Sequence, residues 1–344
     1  MVAHLELDPR KQTILKYVVH DYIATAEPVA SRTLVLRYQL QVKSATVRHE
    51  LAEMSEMGYL RQPHTSAGRI PSDRGYRVYV DYLMPAEKPS PALYEKVERL
   101  HQRIGGEVEE ILIQTCRILA GATKYTAVAS TPQPEAASVR QVVFTQLDRR
   151  HVLMVCVLND SSVKHRILDA PGPLKSSQLA ALGDVLVGAV SGEIPEQELL
   201  ARLPSPDLEQ LYRRAASVLK EILRPEPTET VFVEGTSYMV RQPEFKDGEK
   251  LEPVLSALEE RRCLLEMMRQ AANRQDVVVT IGEESPEPRL KECSFVAAPY
   301  RVSSGSIGAI GVIGPTRMEY RIAVPTVGLM AKSLSDMFCS MGIG

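Results

Sequence analysis

Residues 43–83 read KSATVRHELAEMSEMGYLRQPHTSAGRIPSDRGYRVYVDYL. Ser44 is an N-cap, and Val47, Leu51, Met54 and Met57 fall at i, i+4, i+7 and i+10. That spacing predicts a helix over about 45–57 with Gly58 closing it. Tyr59-Leu60 begins a strand, and Pro63 to Pro71 is a polar turn containing glycine. Tyr76, Val78, Val80 and Tyr82 alternate as a return strand would, with a helix as the other reading.

Upstream, Asp8-Pro9 is a helix start, followed by Ile14, Leu15, Val18, Val19, Tyr22 and Ile23 at helical spacing. A second start at Glu27-Pro28 introduces a helix of about Ser31 to Tyr38, carrying Leu34, Val35 and Tyr38. Helix, helix, short turn, helix and hairpin is the order of a winged helix-turn-helix. The third helix is the candidate reader of the major groove. Its first residues, Ser44, Thr46, Arg48 and His49, are short donors plus one arginine able to bind guanine with two hydrogen bonds. His64, Thr65, Ser66, Gly68 and Arg69 in the hairpin, with Arg74 and Arg77 after it, are candidates for phosphate or minor-groove contact. A three-helix domain with a solvated polar face fits the same pattern. The arginines tilt the reading toward nucleic acid: Arg61, Arg69, Arg74 and Arg77 face a single acid, Asp73, over 61–77. Residues 1–84 carry 11 basic against 9 acidic side chains, in a chain whose net charge is −2.

At 344 residues the chain is expected to hold more than one domain. Apolar residues make up 44%, and with no Trp and five Phe the cores must be aliphatic. The opening MVAHLELDPRK has no apolar h-region, and no stretch nears the ~18 apolar residues of a membrane span, so a cytoplasmic protein without membrane contact is expected. Cys116, Cys156, Cys263, Cys293 and Cys339 are widely spaced and read as buried reduced thiols. Neither they nor the seven histidines show metal-ligand spacing. G-x-S-x-G, H-E-x-x-H and P-loop motifs are missing, so no enzyme, cofactor or metal is expected. Gly305, Gly308, Gly311 and Gly314 lack the spacing of a nucleotide fingerprint and read as close packing on a strand. Glu283-Glu284 reads as a solvated turn, and Arg317–Arg321 as a surface connection between strand and helix.

The proline-rich Met84–Pro91 reads as a linker into a long helix carrying Leu93 to Leu119 on one stripe. Val139–Leu147, Val152–Leu158 and Val163–Leu168 predict a three-strand meander, followed by a helix from Ser176 and two shorter ones near 195–203 and 208–223. Beyond Pro227 the pattern predicts strand 230–234, helix 251–269, strands 277–282, 293–300 and 305–314, and a helix of about 321–337.

The motifs SATVR at 44–48, MGYL at 57–60, PHTSAGRIP at 63–71 and DRGYR at 73–77 resemble the signature of the heat-inducible transcription repressor family, HrcA. FVEG at 232–235, QPEF at 242–245, IGEE at 281–284, AAPYRV at 297–302 and IGVIGPTRMEY at 310–320 extend the resemblance over nearly the whole chain. His49 departs from it, standing where the family usually has Asn, as does Ser72-Asp73-Arg74 in place of Thr-Asp-Lys. The resemblance implies an α+β multidomain protein. Its parts would be an N-terminal winged helix-turn-helix (1–84), a linker (85–91) and a GAF-like α/β domain split into 92–136 and 226–344. An inserted α+β dimerisation domain would occupy 137–225. It further implies a homodimer on the double-stranded DNA of an inverted-repeat operator before chaperone operons, released by heat, with a GroE-type chaperonin as partner. A winged-helix regulator sensing a small molecule through the GAF-like domain is the alternative.

Overall fold

The computed structural model describes residues 7–65, 67–85, 87–103, 107–134, 139–158, 163–191, 198, 203, 205–223, 230–302 and 305–341. Ser66, the Gly105-Gly106 pair and nearly all of the helix expected near 195–203 lie outside the described residues. The chain is a mixture of helices and strands in two units. One comprises 1–131, 230–301 and 308–341, and the other centres on 132–229 with 302–307.

The first unit opens with α1 (Pro9–Thr25), where Asp8 accepts hydrogen bonds from the backbone N–H groups of Arg10 and Lys11. Its apolar stripe, Ile14, Leu15, Val18, Val19 and Ile23, is buried. Next come α2 (Ser31–Arg37) and α3 (Ser44–Glu56), the latter burying Val47, Leu51 and Met54. Gly58 takes a left-handed turn (φ +79°) into β1 (Leu60–Arg61), which pairs antiparallel with β2 (Ile70–Pro71). Residues 73–83 are helical: α4 (Asp73–Val78) runs into one π-helical turn, Tyr79–Leu83. Ser72 decides against a return strand. Its hydroxyl accepts the Gly75 N–H at 3.1 Å, capping a helix whose Tyr76 and Tyr79, three apart, are buried.

The rest of this unit is a sheet flanked by helices. The expected long helix is two, α5 (Pro91–Arg103) and α6 (Val108–Thr123), because Glu107 is extended (ψ 149°) and opens α6. After α6 comes β3 (Thr126–Ser130), where the sequence reading had no element. The other unit supplies β4 (Gln133–Pro134), β5 (Val139–Gln146), β6 (His151–Leu158) and β7 (Val163–Asp169), followed by α7 (Ser176–Ser191) and α8 (Pro206–Ile222). The first unit resumes at β8 (Val231–Glu234) and α9 (Thr236–Val240). The helix expected over 251–269 is α10 (Gly248–Glu259) and α11 (Arg261–Ala272), parted at Glu260, whose ψ of 92° is non-helical. β9 (Val278–Ile281), β10 (Cys293–Arg301), β11 (Ser306–Pro315) and α12 (Tyr320–Ser340) complete the chain.

The sheet order is β8-β3-β11-β10-β9. Alternation along β10 sends Phe295 and Ala297 toward Leu264, Met267 and Met268 of α11, and Tyr300 to the opposite face. There its ring lies 5.6 Å from Phe338 of α12. The glycines of β11 sit against bulk: Tyr300 fills the space beside Gly308, and Tyr125 and Met318 that beside Gly314. The 317–321 segment is not a surface connection, since Met318 and Tyr320 are fully buried. Of the cysteines, Cys116, Cys156 and Cys293 are buried as expected, Cys263 is half-buried and Cys339 is exposed.

In the second unit β5, β6 and β7 form an antiparallel meander. Its inner face, Val142, Phe144, Val152, Met154, Cys156 and Leu168, packs on Leu182 and Leu186 of α7 and Leu211 and Tyr212 of α8. Among the described residues no helix is long and apolar enough to cross a membrane.

Candidate nucleic-acid interface

Two polar anchors set α3 on the helices before it, and a third ties α1 to α2. Lys11 of α1 binds Glu50 at 2.8 Å and Glu53 at 3.0 Å, both on α3. The Lys11 hydrogen bond holds the Glu53 carboxyl below the usual carboxylate range. The Ser31 and Ser44 hydroxyls meet at 3.1 Å, joining the first turns of α2 and α3. Asp21, buried in α1, accepts from Arg37 at 2.8 Å and from the Tyr38 hydroxyl at 2.6 Å, while Tyr38 stacks on Tyr17 at 3.8 Å.

These anchors leave one face of α3 in solvent, and the candidate readers divide across it. Arg48 and His49 are exposed; Thr46 and Ser44 are half-buried. Arg48 has no ion pair among the described residues. His49 Nε2 lies 3.0 Å from Glu53, one turn on, which leaves Nδ1 as its open nitrogen. Ser44 spends its hydroxyl on Ser31.

The hairpin candidates divide more sharply. His64 and Thr65 are exposed at its tip, where Gln62 donates to the Thr65 and Ala67 carbonyls at 2.9 and 3.0 Å and so holds the turn in shape. Gly68 allows the hairpin to touch Val29: a β-carbon there would run into the Val29 carbonyl, and Val29 and Arg69 exchange backbone hydrogen bonds at 2.8 and 2.9 Å. Arg69 turns back onto α3, donating to Ser55 Oγ at 2.8 Å.

Arg74 and Arg77 stand away from the hairpin on α4, with structural partners. Arg74 donates to the Met57 carbonyl at 2.9 Å and lies 4.4 Å above the Tyr59 ring, bracing the base of the hairpin. Arg77 grips Glu284 with two nitrogens, at 2.9 Å through Nε, and also donates to the Val279 carbonyl at 2.5 Å and to Asp81 at 3.1 Å. The phosphate expectation for Arg77 therefore meets a guanidinium already occupied. The Glu283-Glu284 turn is likewise no merely solvated one, because the Glu283 N–H binds Asp73 at 3.0 Å. Burial raises the Asp73 carboxyl above its ordinary range, and that N–H offsets only part of the rise.

Other cations near these candidates are exposed. Arg61 is exposed on β1, and Arg32 and Lys43 are exposed beside the Ser31–Ser44 contact. Arg61 was legible by alternation, since it follows the buried Leu60. Arg32 and Lys43 carried no local signal beyond their charge.

The family model described as the HrcA protein C terminal domain matches residues 109–324, more than half of the chain. The chain belongs to the HrcA family. Curated relatives cover the N-terminal helices as well. The heat-inducible transcription repressor HrcA of Pelotomaculum thermopropionicum is 36% identical over 338 residues, 97% of each chain. That of Symbiobacterium thermophilum is 37% identical over 338 residues, 96% of this chain and 98% of the relative. A crystal structure described as a hypothetical protein shares the fold at a TM-score of 0.58, with 18% identity, covering 98% of this chain and all of its own. HrcA relatives are named as heat-inducible repressors of transcription, which makes this chain a negative regulator of heat-shock genes and does not favour the small-molecule sensor.

Proposed function

We propose that the chain is a cytoplasmic, dimeric, non-enzymatic repressor that binds an inverted-repeat operator of heat-shock genes through a winged helix-turn-helix formed by α1–α4. The observation that carries this reading is the solvent face of α3. Arg48 stands on it with no ion pair among the described residues, His49 keeps Nδ1 open beside its contact with Glu53, and two of the three acids of α3, Glu50 and Glu53, are bound by Lys11. Arg48 reads a base edge, and His49 a neighbouring one. Arg61, His64 and Thr65 on the hairpin, and Arg32 and Lys43 beside the start of α3, meet phosphate or the minor groove. Arg69 and Arg74 hold the hairpin that presents them.

The β8-β3-β11-β10-β9 sheet, with α6 and α12 on one face and α10 and α11 on the other, is the GAF-like carrier. The second unit is its inserted dimerisation domain. The occupant of that unit's outer sheet face is a second copy of this chain. Val143, Leu153, Val155 and Ile167 form an apolar stripe there, with Val143 and Ile167 41% and 61% exposed, and an inverted repeat requires a two-fold protein. Heating loosens the carrier and releases DNA, and a GroE-type chaperonin restores the active form.

The test is a gel shift with the chaperonin promoter of the host against a scrambled fragment, over a temperature ramp, with and without chaperonin and ATP. Sequence-specific retention, lost on heating and recovered with chaperonin, is expected. Equal retention of both fragments overturns the operator reading. Binding that outlasts heating overturns the release step alone.

A further inference from the structure

We propose that Arg77 and Arg317 are positioning residues for operator binding, fixing the DNA-reading helices on the carrier domain rather than touching DNA. They hold those helices at two separate points. At the first, α4 meets the 282–284 turn through both of its polar ends, four residues apart. Asp73 accepts the Glu283 N–H at 3.0 Å, and Arg77 forks onto the Glu284 carboxylate and the Val279 carbonyl. Two parallel bonds from one planar guanidinium fix direction as well as distance. Glu284 is itself held, taking the Ile281 N–H at 2.9 Å. Gly282 is left-handed (φ +53°), and a β-carbon there would collide with the Asp73 carboxylate, so the approach is as close as backbone permits.

At the second point, Arg317 donates to the carbonyl of Ile23 in the last turn of α1 and to Glu244 at 2.5 Å. That carbonyl is among the four that a helix C-terminus leaves without a partner, at the negative end of the helix dipole. The Arg317 side chain is 12% exposed. Between the two points the rings of Tyr76 and Tyr320 lie 5.9 Å apart, both fully buried.

The contacts use α1 and α4 and leave the exposed face of α3 untouched, so attachment and reading are carried by different elements. This inference rests on the two-headed reading above. Two heads on one inverted repeat gain affinity only if both meet their half-sites at once, and that gain is lost when geometry forbids it. Loosening the attachment therefore harms two-armed DNA selectively.

The experiment uses the full chain and two probes. One is a duplex enriched from random sequence by the unsubstituted protein; the other is the same duplex with one arm scrambled. Arg77→Ala, Arg317→Ala and the carrier-side Glu284→Gln are each expected to weaken two-armed binding by about tenfold or more. One-armed affinity and the slope of log K against log salt stay unchanged. Unchanged one-armed binding also shows that the head remains folded, and Arg77→Lys, which keeps the charge but not the fork, falls between. Equal weakening on both probes with a slope smaller by about 0.9 makes Arg77 a phosphate contact and overturns the proposal. So does tighter two-armed binding, or no change. Unsubstituted protein that holds both probes equally overturns the two-headed reading, and the proposal with it.

Discussion

The carbonyl of Tyr59 fills the place where Gly75 would carry a β-carbon. Helix α4 lies directly on the strand that opens the hairpin, and Ser72, which caps α4, also donates to the Gly58 carbonyl at 2.6 Å. Gly75→Ala is expected to push α4 away and destabilise the N-terminal helices by about 1–3 kcal/mol, the cost of overpacking a tight site. Urea unfolding followed by far-ultraviolet circular dichroism measures it; an unchanged midpoint counts against the contact.

Arg48→Ala is expected to cost about 1–3 kcal/mol on operator DNA and to flatten discrimination at one base pair in each half-site. Selection from a randomised duplex pool reads this directly. Equal loss on operator and random DNA would reassign Arg48 to phosphate.

The arginines of the hairpin region are expected to separate by their salt dependence. Arg61→Ala lowers the slope of log K against log salt by about 0.9, as one lost phosphate contact should. Arg74→Ala leaves the slope alone and lowers stability by about 1–2 kcal/mol, through its lost hydrogen bond and its place over the Tyr59 ring. Identical slopes for the two variants would erase the distinction.

Ile167→Asp, on the outer face of the β5–β7 sheet, is expected to turn the proposed dimer into a monomer while leaving the inner core packed. Sedimentation at micromolar concentration decides it, and a variant that stays dimeric moves the interface elsewhere.

Acid is expected to weaken the carrier through Glu287. Arg289 holds this carboxyl down to about 2 from its ordinary 4.5. A depressed carboxyl stabilises the fold above the unfolded value, and that contribution drains away as pH falls from 4.5 toward about 2. Thermal melting of the protein and of Glu287→Gln across that range checks the sign: the gap between them should close as pH falls.

Apolar periodicity located α1, α2 and α3, being a property of short windows, and the Asp8 cap holds. Ser44 is no cap, since α3 begins at Ser44 itself behind Lys43 and the Ser44 hydroxyl turns to Ser31. Local signals left 76–82 open between strand and helix, because alternate apolar residues mimic a strand while Tyr76 and Tyr79, three apart, mark the buried side of a helix. They gave nothing at 126–130, whose five buried residues show no alternation because both faces of the strand are covered. The solvent exposure of Arg48 and His49 follows from helical spacing alone. The attachment of Arg77 does not: Glu284 is 207 residues away in sequence, and charge counting treats a guanidinium bound to a carboxylate as it treats a free one. Arg317 was hidden in the same way, inside a segment whose polarity suggested surface.

Two of the bonds that join the reading helices to the carrier end on main-chain oxygens, those of Ile23 and Val279. No codon change deletes a carbonyl. Substitution can remove either arginine or the Glu284 and Glu244 carboxylates, but these two carbonyls move only if a helix end or a strand bends. The joint is therefore inherited lopsidedly. Its side-chain members can be lost one at a time, whereas its two carbonyl acceptors stay wherever the backbone keeps its course.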